Sequence, residues 1–383
     1  MPSLPFAVSP RAHRRPIAAR AAASAVLLLL LSLLVAACSG GKAKENVSAQ
    51  AVDCSQPGGG AVTNAPSSGS SVLITRDDSL YLRDMKTNKE IKLCTAPEGL
   101  FVTYPAWSPD GRQYVYALDS PFIGNVAANW GSDFYLADAN GGNRRLLLKH
   151  DQSGAELESP SWTPDGKTIV YSYFLTQYDA QGQYQGQVYE ARSIDVASAA
   201  VTKLISDANS TALCRDGSKL TYVNFNQTDF TSYGIWVADA NGQNGKAIVN
   251  GNTGMQAFFA PRFSPDCKQI IFAAIGGGIR KIDPAPKGGG NLLTRLLGPL
   301  LPAAAAAHGA PWDLWLVNVD GSGLKRVTSL NEDLPFLEWA ADGQSVLFVG
   351  TNGLYEMSPD GSNIKKIGQG AVHGQISWRQ KAA

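Results

Sequence analysis

Five cysteines (Cys38, Cys54, Cys94, Cys214, Cys267) and four histidines (His13, His150, His308, His373) are the nucleophilic and soft metal-binding groups of this 383-residue chain. No two histidines stand at ligand spacing, which argues against a zinc centre. No Gly-x-Ser-x-Gly elbow and no Asp-x-Asp-x-Asp-Gly loop is present, so neither an activated serine nor a calcium cage is signalled. No cofactor is expected. Two other groups could do chemistry by recognition. Phe122, Trp130, Tyr178, Tyr184, Phe230 and Tyr233 stand among polar residues, and aromatic rings with polar tips suit a partner surface, a peptide or a sugar face. Asp151, Glu156, Glu158, Asn331, Glu332, Asp333 and His373 fall between repeated units, where carboxylates attract a cation or simply form a solvated rim.

Those units position everything else. Tyr104 to Leu118 reads Tyr-Pro-Ala-Trp-Ser-Pro-Asp-Gly-Arg-Gln-Tyr-Val-Tyr-Ala-Leu, and imperfect copies start near Pro160, Ala212, Phe263 and Trp339. Ile376-Ser377-Trp378 opens one more copy. Each copy joins a short strand with a large apolar residue to an alternating strand through an Asp-centred turn, which is a hairpin signature. Two further strands follow, as in Phe134 to Asp138 and Arg145 to Lys149. Four antiparallel strands per unit make a propeller blade, and blades must stack to bury their faces. The expectation is therefore an all-β, six-bladed β-propeller of four-stranded antiparallel blades. Ser71 to Thr75, Ser79 to Met85 and Glu90 to Thr95 lack an opener, so the first blade is expected to be closed by the C-terminal strand at Trp378.

The hairpins resemble the TolB-type, WD40-like propeller repeat, whose signature is Trp-Ser-Pro-Asp-Gly. Trp107, Trp162, Trp339 and Trp378 match its aromatic, and Asp110, Asp165, Asp216, Asp266 and Asp342 match its turn aspartate. The resemblance covers Ser71 to Trp378 and implies packing and turn-shaping roles for these residues. TolB itself carries a preceding α/β domain that finds no counterpart here.

Upstream, Arg11, Arg14, Arg15 and Arg20 precede an apolar run from Ala21 to Ala37 and then Val35-Ala36-Ala37-Cys38. This pattern of basic start, apolar core and small residues is a secretory signal. Its end is similar to the bacterial lipoprotein box, which implies cleavage before Cys38 and acylation there. Residues 1–37 are thus expected as signal peptide, 38–70 as lipidated cysteine and flexible tether, and 71–383 as the propeller. The location expected is extracytoplasmic, anchored to a bacterial membrane at the cell surface or in the periplasm. A tether of about thirty residues reaches on the order of 30 Å. A formal charge of +1 argues against nucleic acid as partner.

With Cys38 assigned to lipid, four cysteines remain in an oxidising compartment, and four allow three pairings. Cys214 and Cys267 sit in the same hairpin turn of neighbouring blades, so Cys214–Cys267 with Cys54–Cys94 is expected over free thiols.

Connections on one face of the ring are tight turns, while those on the other are long: Asp119 to Ser132, Leu175 to Gln187, Asn226 to Tyr233 and Ala274 to Trp312. The insertion from Gly276 to Ala310 is the longest. Function is expected on the long-loop face, at Phe122, Trp130, Tyr178, Tyr184, Phe230, Tyr233 and His373. The expected role is a non-enzymatic scaffold that binds a protein or a cell-envelope polymer. The alternative is a carbohydrate- or peptide-active enzyme at the channel mouth, which convergent carboxylates of perturbed acidity would favour.

Overall fold

A computed structural model describes residues 52–58, 61–62, 70–120, 129–226, 232–250, 253–277, 312–329, 332–370 and 375–379. Cys38, Phe122, Phe230, His373 and nearly all of the 276–310 insertion lie outside them. Every regular element in the described residues is a strand.

The first blade contains β1 (Ser71–Arg76), β2 (Ser79–Asp84) and β3 (Glu90–Thr95), with β24 (Ile376–Trp378) beside β1. β24 runs antiparallel to β1, pairing Val72 with Trp378 and Ile74 with Ile376. Next come β4 (Phe101–Trp107), β5 (Gln113–Ser120), β6 (Gly131–Asp138) and β7 (Arg145–Leu148). They are followed by β8 (Ala155–Trp162), β9 (Thr168–Tyr178), β10 (Tyr184–Asp195) and β11 (Val201–Ser206). These two antiparallel runs share one sheet through a single parallel pairing, Gly131 with Ala155. Three further four-stranded sheets complete the chain. One holds β12 (Ala208–Leu213), β13 (Lys219–Asn224), β14 (Gly234–Asp239) and β15 (Lys246–Asn250); the next β16 (Met255–Phe263), β17 (Gln269–Gly276), β18 (Asp313–Asn318) and β19 (Lys325–Arg326). The last holds β20 (Phe336–Trp339), β21 (Val346–Val349), β22 (Leu354–Met357) and β23 (Lys365–Gly368). This is an all-β propeller of four-stranded antiparallel blades.

The core lies between blades. Leu73, Leu80 and Leu82 pack with Trp107, Tyr114 and Tyr116 of the β4–β7 blade. At the other end of the chain, Leu347 and Val349 pack with Val72 and Ile74. Central strands such as β5 and β17 are apolar on both faces because each is covered by a neighbour on both sides.

The repeated turn has a packing reason. Gly166 lies against Pro109 of the preceding blade, Gly217 against Pro164 and Gly343 against Pro265. In the β12–β15 blade Arg215 replaces that proline, and the next glycine position is Cys267, whose φ of 61° remains left-handed. Cys267 is bonded to Cys214 with the α-carbons 5.6 Å apart. The Trp162 indole donates to the Ala106 carbonyl at 3.1 Å and the Trp339 indole to that of Arg262 at 3.3 Å. In these two blades the motif aromatic ties its blade to the inner strand of the preceding one.

Part of the segment expected as tether, 38–70, pairs with the blades. Thr95 exchanges backbone hydrogen bonds with Val52 and Cys54, and Val62 donates to Asn140. Cys54 is bonded to Cys94 with the α-carbons 5.1 Å apart, and its carbonyl accepts the Tyr116 hydroxyl at 2.6 Å. The chain is fixed to the first two blades at Val52, Cys54 and Val62.

Candidate functional site

Strands β4, β8, β12, β16, β20 and β24 run side by side around a central passage, and residues from all six line a cavity of about 320 Å³. That volume lies at the low end for a ligand pocket. Pro109, Pro164, Arg215 and Pro265 surround it, so it opens on the tight-turn face rather than among the long loops. Arg215 donates from Nη1 to the carbonyl of Ala341 in the β20–β23 blade at 3.0 Å. It therefore bars part of the mouth.

The residue before the motif aromatic points the chemistry. It is Ala106, Ser161, Ala212 and Ser377 in four blades, but Arg262 and Glu338 in the adjacent β16–β19 and β20–β23 blades. Arg262 is 7% exposed and its Nε lies 4.0 Å from a Glu338 carboxylate oxygen. Burial pushes Glu338 up to about 7 against the opposing pull of Arg262. Burial likewise lowers the pKa of Arg262 from its ordinary value.

Farther in, β4, β8, β12 and β16 each carry a bulge. Register shifts at Thr103/Ala106, Glu158/Ser161, Asn209/Ala212 and Phe259/Arg262 coincide with positive φ at Tyr104, Ser159, Ser210 and Ala260. Such bulges re-aim side chains. The Tyr104 and Phe336 rings meet edge to face at 5.9 Å, and Phe336 meets Phe259 at 4.8 Å.

Beyond these rings, toward the long-loop end, three carboxylates converge. Burial raises Asp119 to about 6. Burial and the Asp119 charge raise Glu158 to about 7, while a hydrogen bond from Tyr104 pulls it back. Glu156 is raised by burial and by both neighbours, and Tyr104 by burial and then by the same acids. The sequence reading placed Glu156 and Glu158 on a solvated link. They belong to the inner strand β8, which begins at Ala155, and are half-buried.

Of the expected recognition aromatics, Trp130 requires correction. It is only 5% exposed, its carbonyl accepts from Gly154 at 2.8 Å, and its ring packs beside that glycine. Tyr233 is a packing residue too: its ring lies edge to face with Phe225 and Phe258, and its hydroxyl accepts the Phe258 amide at 3.1 Å. Tyr178 and Tyr184 pair at the end of the long β9–β10 hairpin, rings 6.2 Å apart, with Tyr184 51% exposed. His150 is held between Asp133 and Asn129.

No known family profile matches the sequence, and no curated protein does. Solved structures do match. TolB from Acinetobacter baumannii aligns over 83% of this chain and 69% of its own, with 16% identity and a TM-score of 0.56. The fold is that of the TolB-type propeller. A putative TolB from Agrobacterium tumefaciens aligns over 80% of this chain and 96% of its own, with 16% identity and a TM-score of 0.51. A chain of a nidogen/laminin complex aligns over 80% and 97%, with 12% identity and a TM-score of 0.53.

Proposed function

We propose that this chain is a closed six-bladed propeller, sealed by its C-terminal strand, that is lipid-anchored at Cys38 outside the cytoplasm and binds another protein without catalysis. The observation that carries the reading is the tight-turn cavity, to which all six inner strands contribute and whose floor is a nearly buried charged pair. Rigid walls with a few placed polar groups are what recognition requires. A neighbour of the same fold was solved in a nidogen/laminin complex, which supports a protein partner. The Tyr178–Tyr184 tip offers a second contact on the long-loop side. The TolB-like fold supports an envelope setting.

Capture from detergent-solubilised envelopes tests this. Arg215→Trp obstructs the mouth from an exposed position and is expected to abolish recovery of a specific protein with melting unchanged. Equal recovery by the obstructed and native rings would overturn the reading. The convergence of Asp119, Glu156, Glu158 and Tyr104 favours the enzymatic alternative, since acids of raised pKa suit proton transfer. Turnover of peptide or polysaccharide that Glu158→Gln abolishes would install that alternative instead.

A further inference from the structure

The cavity has a donor-rich floor backed by aromatic rings. The Tyr104, Phe336 and Phe259 rings meet across the passage just inside it. In front of them, Arg262 spends one donor on the Pro261 carbonyl at 2.9 Å and approaches Glu338 only at 4.0 Å. A guanidinium has five N–H donors, so others remain on a residue that lines the cavity. Gln375, 4% exposed, lines the same space, and its Oε1 has no partner among the described residues. The Ser161 and Ser377 hydroxyls accept the amides of Leu213 and Trp107 at 3.0 and 3.1 Å, which leaves their own hydrogens to give. The walls above are apolar: Trp162, Leu213, Phe263, Trp339 and the mouth prolines.

A cavity of about 320 Å³ backed by aromatic rings suits a chain end better than a mid-chain segment. Floor donors call for an anion, the lone acceptor calls for one N–H, and the walls call for an apolar side chain. An amino terminus would bring a second cation against Arg262. We propose that the cavity captures the free C-terminal end of a partner polypeptide, its carboxylate on Arg262 and its last peptide N–H on Gln375 Oε1. This rests on the protein-binding reading above and names the part of the partner that enters. Carboxylate capture by a fixed guanidinium is a strong, geometrically specific contact.

Glu338 competes for the same guanidinium. Arg262 from β16 and the Trp339 backbone act on Glu338; Arg262 in turn faces Tyr104 from β4, with Glu158 of β8 behind it, and Arg215 lines the mouth. With Glu338 titrating at about 7, acidification neutralises the competitor and frees Arg262. Capture is therefore expected to strengthen as pH falls from about 8 to about 6.

Affinity-selection mass spectrometry on the whole propeller tests this with a library of N-acetylated tetrapeptides bearing free carboxyl ends and the same library amidated. Free acids are expected to be retained about ten-fold or more over amides. Arg262→Gln should erase most of that preference, and Gln375→Leu should weaken retention of acids and amides alike, with folding checked by melting. Equal retention of acids and amides by the native protein overturns the proposal whatever the variants do. Displacement by glucuronate as effective as by peptide acids also overturns it, by moving the carboxylate to a sugar. If an envelope protein is captured through the mouth while amidation is without effect, this inference falls and the binding reading stands.

Discussion

The Arg379 guanidinium lies 4.9 Å from the centre of the Trp107 ring while its Nη2 donates to the Gly111 carbonyl at 2.6 Å. Against Gly111 it fills the place that a proline fills against the glycines of other turns. The Arg379 amide also donates to the Ser71 carbonyl at 2.8 Å. Deleting residues 374–383 is expected to lower the melting temperature by about 10 °C or more, because it exposes the edge of β1 and removes the Ser377 contact to Trp107 of β4. Arg379→Ala alone should cost about 1–2 kcal/mol in denaturant titration.

Gly217 shows what the repeated glycine is for. Its φ is 74°, and a Cβ there would stand 2.7 Å from Pro164 Cδ in the adjacent blade. Gly217→Ala is expected to cost about 2–3 kcal/mol, part from the backbone and part from the clash. Gly58 has a similar φ of 70° with open space around it, so Gly58→Ala should cost only about 1 kcal/mol. Equal losses in urea melts would mean that the blade-to-blade contact contributes nothing.

The repeats were legible because each turn solves the same packing problem, leaving Trp, Pro, Asp and Gly at constant spacing. Cys214 and Cys267 were legible for the same reason, as odd residues in fixed columns. Arg262 and Glu338 went unnoticed although the signal was present: they are the only charges in the column before the motif aromatic. Glu156 and Glu158 were misplaced because β8 starts upstream of the recognisable motif, and a Glu-x-Glu pair carries no strand propensity of its own. Trp130 was misjudged because polar sequence neighbours say nothing about Gly154, which lies next to it only in space.

Stability should rise on mild acidification. Asp119, Glu158 and Glu338 titrate at about 6, 7 and 7 in the fold, above their ordinary values of 3.8, 4.5 and 4.5. Between roughly pH 4.5 and 7 the folded state therefore holds more protons than the unfolded one, and linkage makes stability fall as pH rises through that window. The turn aspartates oppose this only lower down. The hydroxyls of Thr163, Ser218 and Ser264 hold Asp165, Asp216 and Asp266 below the ordinary value, so their contribution is lost below about pH 4. Melting is expected to peak near pH 5, and Glu158→Gln should raise melting at pH 8 but not at pH 5. A maximum at neutral pH would show that these acids are solvated.

Trp130 and Tyr184 should separate cleanly. Trp130→Ala removes a buried ring and is expected to cost about 3–5 kcal/mol by urea titration. Tyr184→Ala, half exposed at a hairpin end, should change stability by less than about 0.5 kcal/mol while weakening any partner held on that side.

The Cys54–Cys94 bond and the backbone pairing of Val52 and Cys54 with Thr95 set how the molecule bears mechanical load. A pull entering at Val52 is taken first by the outer strand β3 through a covalent link rather than by β1, whose pairing with β24 spans three residues. The short β1–β24 pairing is thereby spared the load.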